Sequence, residues 1–132
     1  MNQSIQNTIE KCGLPLVVTS TSPHLCFLVD TGSSKNIIFS YVMESVTIEH
    51  IKLNKLNSLM GIDGNPINVP QIEMSLCFGN NTTTTIFSVL DATTTIAQIQ
   101  SESGIQIHGI LGIPFLIQNE WILDFKKLTI SK

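Results

Sequence analysis

Between residues 14 and 130 the apolar residues of this chain gather in short, largely β-branched runs, each closed off by Gly, Pro, Asn, Asp or Ser. No helical period persists beyond about three turns, so the pattern predicts strands and a mostly β domain. The 132 residues leave room for one modest core and not two. Apolar residues make up 42% and charged residues only 13%. Such a domain has apolar surface to hide, and a second copy of the chain is one place to hide it. No run reaches the roughly 18 uninterrupted apolar residues of a membrane span, and no membrane partner is expected.

The charges exclude further classes. A net charge of −3, with no basic patch beyond the pair Lys126 and Lys127, makes nucleic acid an unexpected partner. Cys12, Cys26 and Cys77 are an odd number without CxxC spacing, so neither a disulfide framework nor a zinc site is implied and a reducing compartment fits. The polar residues 1–11 lack the basic-then-apolar pattern of a secretory signal, and a cytoplasmic location is the expectation. His24, His50 and His108 share no ligand spacing; no metal and no cofactor are expected.

Turn chemistry divides the chain. Residues 14–19 and 25–29 read as a hairpin turning over Ser20, Thr21, Ser22 and Pro23. Residues 36–39 read as a buried strand, after which Ser40 is placed to cap a short helix over 41–46. The cluster Gly61-Ile62-Asp63-Gly64-Asn65-Pro66 reads as the tip of a projecting hairpin. Strands over 72–78 and 86–90 flank a polar loop that runs from Gly79 through the threonines 82–85. Residues 93–104 read as loop with one turn of helix. In the most apolar stretch, 105–117, Pro114 suits the first turn of a helix covering 115–118, and the chain closes with a hairpin turning at Lys126 and Lys127.

Chemistry points to Asp30-Thr31-Gly32-Ser33. The buried run Phe27-Leu28-Val29 delivers a carboxylate at a strand end, Thr31 supplies a hydroxyl that can lock the loop, Gly32 lets backbone approach closely, and Ser33 can donate to Asp30. By itself the tripeptide reads more readily as an ordinary turn, since Asp, Gly and Ser are favoured turn residues. Cys26 reads as a small core residue rather than a nucleophile, and Trp121 as an anchor in the core or an interface. Asp124 reads as solvent-facing or paired with Lys126.

About eighty residues after Asp30 comes His108-Gly109-Ile110-Leu111-Gly112-Ile113-Pro114-Phe115-Leu116, then Trp121-Ile122-Leu123-Asp124-Phe125, with the glycine-bearing hairpin between. In order and spacing this resembles the retropepsin-like aspartic protease family, single-motif and homodimeric, of bacterial or retroelement type. The resemblance implies a closed β-barrel of the acid protease fold, one lobe per chain, with a short helix after Ile110-Leu111-Gly112. Residues 1–13 would form an N-terminal segment available to the dimer interface, and 14–132 the protease domain. It implies Asp30 as catalytic acid, Thr31 reaching the other subunit, Gly32 in the substrate-facing loop and Ser33 orienting the carboxylate. Gly61, Ile62, Asp63, Gly64 and Asn65 would form the flap, and Ile110, Leu111 and Gly112 the strand beside the substrate pocket. The flap departs from the viral pattern in lacking a glycine run and from the pepsin pattern in lacking a tyrosine, since the only one is Tyr41.

Asp63, Asp91 and Asp124 do not repeat the motif. Peptide hydrolysis by this chemistry needs two carboxyl groups sharing a proton. A C₂ homodimer is therefore expected, cleaving extended polypeptide with an acidic to mildly acidic optimum. The alternative is a peptide-binding or dimerisation module that keeps the fold without useful turnover.

Overall fold

A computed structural model describes residues 1–60 and 64–132, with backbone alone at 57, 60, 93, 95 and 96. The N-terminal segment is ordered by one apolar residue: β1 (Asn2–Ser4) leads into Ile5, which is fully buried, and then α1 (Gln6–Cys12), closed by Gly13 at φ +71°. The expected first hairpin is formed by β2 (Leu16–Val18) and β3 (Cys26–Val29). Next come β4 (Ile37–Phe39) and α2 (Ser40–Ser45). Ser40 does not cap this helix; Phe39 holds the cap position without a side-chain bond.

The predicted projecting hairpin consists of β5 (Ile51–Met60) and β6 (Pro66–Phe78), in register from Met60 opposite Pro66. Gly61, Ile62 and Asp63 lie outside the described residues. The register shifts between Leu53 and Leu56, opposite the segment holding Pro70. A proline has no N–H for the ladder, and an irregularity there leaves no partner carbonyl stranded. Farther along β6, Ile72, Met74, Leu76 and Phe78 are buried in alternation, the period of a strand with one face on the core.

Two segments differ from expectation. The threonines 82–85 are not loop but part of β7 (Asn81–Leu90), because only Gly79 and Asn80 make the turn, with Gly79 at φ +61°. Threonine is polar in a hydropathy count yet a good strand former. Residues expected as loop form α3 (Thr93–Ser103), which ends at Gly104 with φ +73° and lies against α1. Its sequence carries little apolar period, so tertiary packing decides it.

After α3 come β8 (Gly109–Leu111), α4 (Ile113–Asn119), β9 (Ile122–Asp124) and β10 (Thr129–Ser131). Pro114 occupies the first turn of α4, as predicted. One sheet has the order β1-β10-β9; the other has seven strands in the order β2-β3-β8-β4-β7-β6-β5. The domain is thus mostly β, but the expected closed barrel is not formed: among the described residues neither edge strand, β2 nor β5, has a second strand partner. Ser20, just past β2, reaches across this opening: its N–H donates to the Cys77 carbonyl at 2.8 Å.

The core draws on the large sheet, on Phe115 and Leu116 of α4, on Val42 of α2 and on Ile130 of β10. Phe27, Phe87 and Phe115 are fully buried, each worth roughly 2 to 3 kcal/mol of apolar transfer. Trp121 is a core anchor, edge-on to Phe78 at 5.0 Å and to Phe115 at 5.1 Å between ring centroids. No helix among the described residues is long and apolar enough to cross a membrane.

Candidate active site

β3 sends Phe27 and Val29 into the core and ends at Asp30, which is half-buried. Beside it runs β8, parallel to β3 and antiparallel to β4, so that one three-residue strand is threaded between the strand before Asp30 and the strand after it. The Asp30 N–H donates to the Leu111 carbonyl at 3.0 Å, and the Ile113 N–H donates to the Ser33 carbonyl at 2.9 Å. Both ends of the Asp30 loop are therefore tied to the residues flanking Gly112. Within the loop the Ser33 N–H donates to the Asp30 carbonyl at 3.1 Å, and the Gly32 N–H donates to the Asp30 Oδ1 at 2.8 Å.

The four motif residues are brought together, though not all in the expected roles. Ser33 does not orient the carboxylate: its hydroxyl donates to the Lys35 carbonyl at 2.7 Å. Thr31 is exposed, and its hydroxyl makes no hydrogen bond among the described residues. Leu111 and Gly112 are buried rather than lining an open pocket; only Ile110 of that trio is partly exposed. Of the flap residues, Gly64 and Asn65 are exposed just beyond the pairing of Met60 with Pro66.

Packing around the loop is tight at two glycines. A Cβ on Gly109 would stand 2.3 Å from the Ile37 carbonyl, and one on Gly112 would stand 2.3 Å from the Lys35 carbonyl and 2.7 Å from that of Ser33. Both contacts are with backbone, so only glycine fits.

Buried polar groups near the loop were not foreseen. Asn36 is 5% exposed, and its Oδ1 accepts the Gly112 N–H at 3.0 Å and the Phe115 N–H at 3.3 Å. Its Nδ2 faces the Thr85 hydroxyl and the Ile86 carbonyl, each at 3.4 Å. The threonine run continues this strip: Thr85 donates to Gln118 at 3.1 Å, Gln118 to the Thr84 carbonyl at 3.1 Å, and Thr83 to Asn119. A hydroxyl face of β7 thereby docks α4. The sequence signal was an amide at the head of an apolar strand, where an unsatisfied polar group would be expensive.

His108 lies just before β8. Its Nδ1 accepts the Cys26 N–H at 2.8 Å, which requires the neutral ring, and burial lowers its pKa from the ordinary value. A group depressed in this way contributes stability that is full above the unfolded pKa of about 6.5 and is lost as pH falls through the folded value. His108→Leu is expected to cost about 1 to 2 kcal/mol at pH 7 through the orphaned Cys26 amide. That deficit should shrink as urea unfolding is repeated toward pH 4.5; a constant deficit would exclude titration of His108 as its source.

The remaining candidates are structural. Burial, with Cys12 adding to it, pushes the Cys26 thiol up to about 11, leaving it protonated and unreactive at neutral pH. Asp124 shapes the last turn instead of pairing with a lysine side chain: its Oδ1 accepts the Lys126 and Lys127 amides, both at 2.9 Å, and the Lys127 amide chiefly lowers its pKa. Among the described residues no three His, Cys, Asp or Glu gather as a metal would need. A groove of about 670 Å³ opens at the far end of β3, between Thr19, Pro23, His50 and Ser75, and does not include Asp30. No protein-family model matches the chain, and no curated protein matches it in sequence.

Proposed function

We propose that the chain is one subunit of a retropepsin-like aspartic endopeptidase, in which two copies bring their Asp30 carboxyls together across a two-fold axis. The setting of Asp30 carries this assignment. Its carboxylate stands at the end of a core strand, tied by its own amide to a threaded neighbour and accepting only the Gly32 N–H among the described residues. The unbonded Thr31 hydroxyl beside it is available to a second chain.

In the dimer, one carboxyl is ionised and takes a proton from water, whose oxygen attacks the scissile carbonyl carbon. The other is protonated and donates to the carbonyl oxygen. The C–N bond then breaks as the amine takes up a proton. A lone chain has one such group and cannot fill both roles, while two held close share a single proton and favour acidic to mildly acidic conditions. The β5–β6 hairpin would cover an extended peptide bound as an added strand. Ile113 and Ile117 share a face of α4, and Ile117, Ile122 and Phe125 are 71%, 58% and 62% exposed. They offer apolar surface for a second copy.

Sedimentation of the native chain should show a dimer, and peptide-library cleavage from about pH 4 to 7 should be blocked by pepstatin and lost in Asp30→Ala. Peptide binding without turnover in both chains would favour the module that keeps the fold but not the chemistry.

A further inference from the structure

Gly112 occupies the N-cap position of α4 in extended backbone, and no side chain can cap the helix from there. It must lack a Cβ because the Lys35 and Ser33 carbonyls stand where one would go. The cap therefore has to come from elsewhere in the chain. Asn36 provides it from just before β4, with Oδ1 facing two N–H donors and Nδ2 facing an oxygen on each of two β7 residues, which also fixes the orientation of the amide. Its own carbonyl accepts the Ser88 N–H at 2.9 Å, so its backbone belongs to the same junction.

We propose that Asn36 is the positioning residue of the Asp30 loop: its carboxamide oxygen pins Gly112, and the two neighbours of Gly112 hold the two ends of the loop. Leu111 accepts the Asp30 amide, and Ile113 donates to Ser33. A displacement of Gly112 is passed to both anchors at once, whereas among the described residues no member of the Asp30 loop bonds to Asn36 directly. The Nδ2 contacts to β7, both at 3.4 Å, are long and tie Asn36 to the sheet. The two ends of one side chain thus divide between placing the acid and holding the sheet. The inference deepens the protease assignment and rests on it only for its kinetic arm.

The test is amide hydrogen exchange on the intact chain for Asn36→Ala, Asn36→Asp and Thr85→Val. In Asn36→Ala, exchange at Asp30, Gly112 and Ile113 should rise about tenfold relative to Phe27 and Phe87, the effect of losing roughly one net hydrogen bond locally. Asn36→Asp keeps the acceptor oxygen and should restore protection at Gly112, which also decides the matter should the alanine variant fail to fold. Thr85→Val should lower thermal stability without singling out those three amides. With peptide substrate, Asn36→Ala should lower kcat with little change in KM. A uniform rise across the sheet, or unchanged exchange at Asp30 and Gly112, would overturn the role. If the wild-type chain cleaves nothing, the protease assignment fails, while a local exchange pattern still upholds Asn36 as the residue that places the loop.

Discussion

Gly112→Ala is expected to destabilise the chain by about 3 kcal/mol or more, lowering the urea midpoint by roughly 2 M at an ordinary slope. The cause is space and not backbone conformation, since Gly112 sits at φ −92° and ψ −172°, which any residue can adopt. The added methyl would meet two carbonyl oxygens, at 2.3 and 2.7 Å, belonging to the segment that leaves the Asp30 loop. Neither can swing aside like a side chain, so β8 or the loop must shift, and with it the hydrogen bond between Asp30 and Leu111. Gly104→Ala makes the contrasting control. It places a residue at φ +73° with nothing within 4 Å of the new Cβ, so only the left-handed backbone penalises it, by about 1 kcal/mol. Equal effects from the two substitutions would show that β8 is not packed against the loop as described.

Mixing wild-type chains with an equal amount of Asp30→Asn, at fixed total concentration and after exchange of subunits, is expected to leave about a quarter of the cleavage activity. The amide can neither take a proton from water nor donate an acidic one, so a mixed dimer is as inactive as the doubly substituted one. Only pairs of wild-type chains then work, and random pairing makes these the square of the wild-type fraction. Residual activity near one half would mean that each chain acts by itself, and the paired-carboxylate chemistry would have to be abandoned. Asp30→Asn alone should show no cleavage while retaining the dimer in sedimentation, because Asn keeps an oxygen for the Gly32 amide.

Several elements were legible because their information is local. The β2–β3 hairpin follows from two apolar runs separated by Ser, Thr and Pro; the start of α4 follows from Pro114; the alternation along β6 follows from a period of two. The motif also placed an acid at a strand end, and the apolar-Gly strand that the resemblance set beside it does pair with that strand. Misreadings arose where hydropathy misstates a residue's part. The threonines of β7 are polar and so read as loop, yet their hydroxyls dock α4. The helix over α3 has too little apolar period to reveal itself without α1 beside it. Adjacency in sequence suggests Ser33 as a partner of Asp30, while the chain turns its hydroxyl to Lys35.

By itself, the sequence determined that the domain is mostly β, where its main turns fall, and that Asp30 ends a buried strand, because sterics and side-chain alternation act over a few residues. Only the tertiary structure decided that the large sheet stays open, that Gly112 is hemmed in by carbonyls, and that Asn36 caps a helix 76 positions away from it. Those outcomes depend on which hydrogen-bonding groups meet once distant segments pack, and a buried donor or acceptor takes whichever partner the fold brings to it.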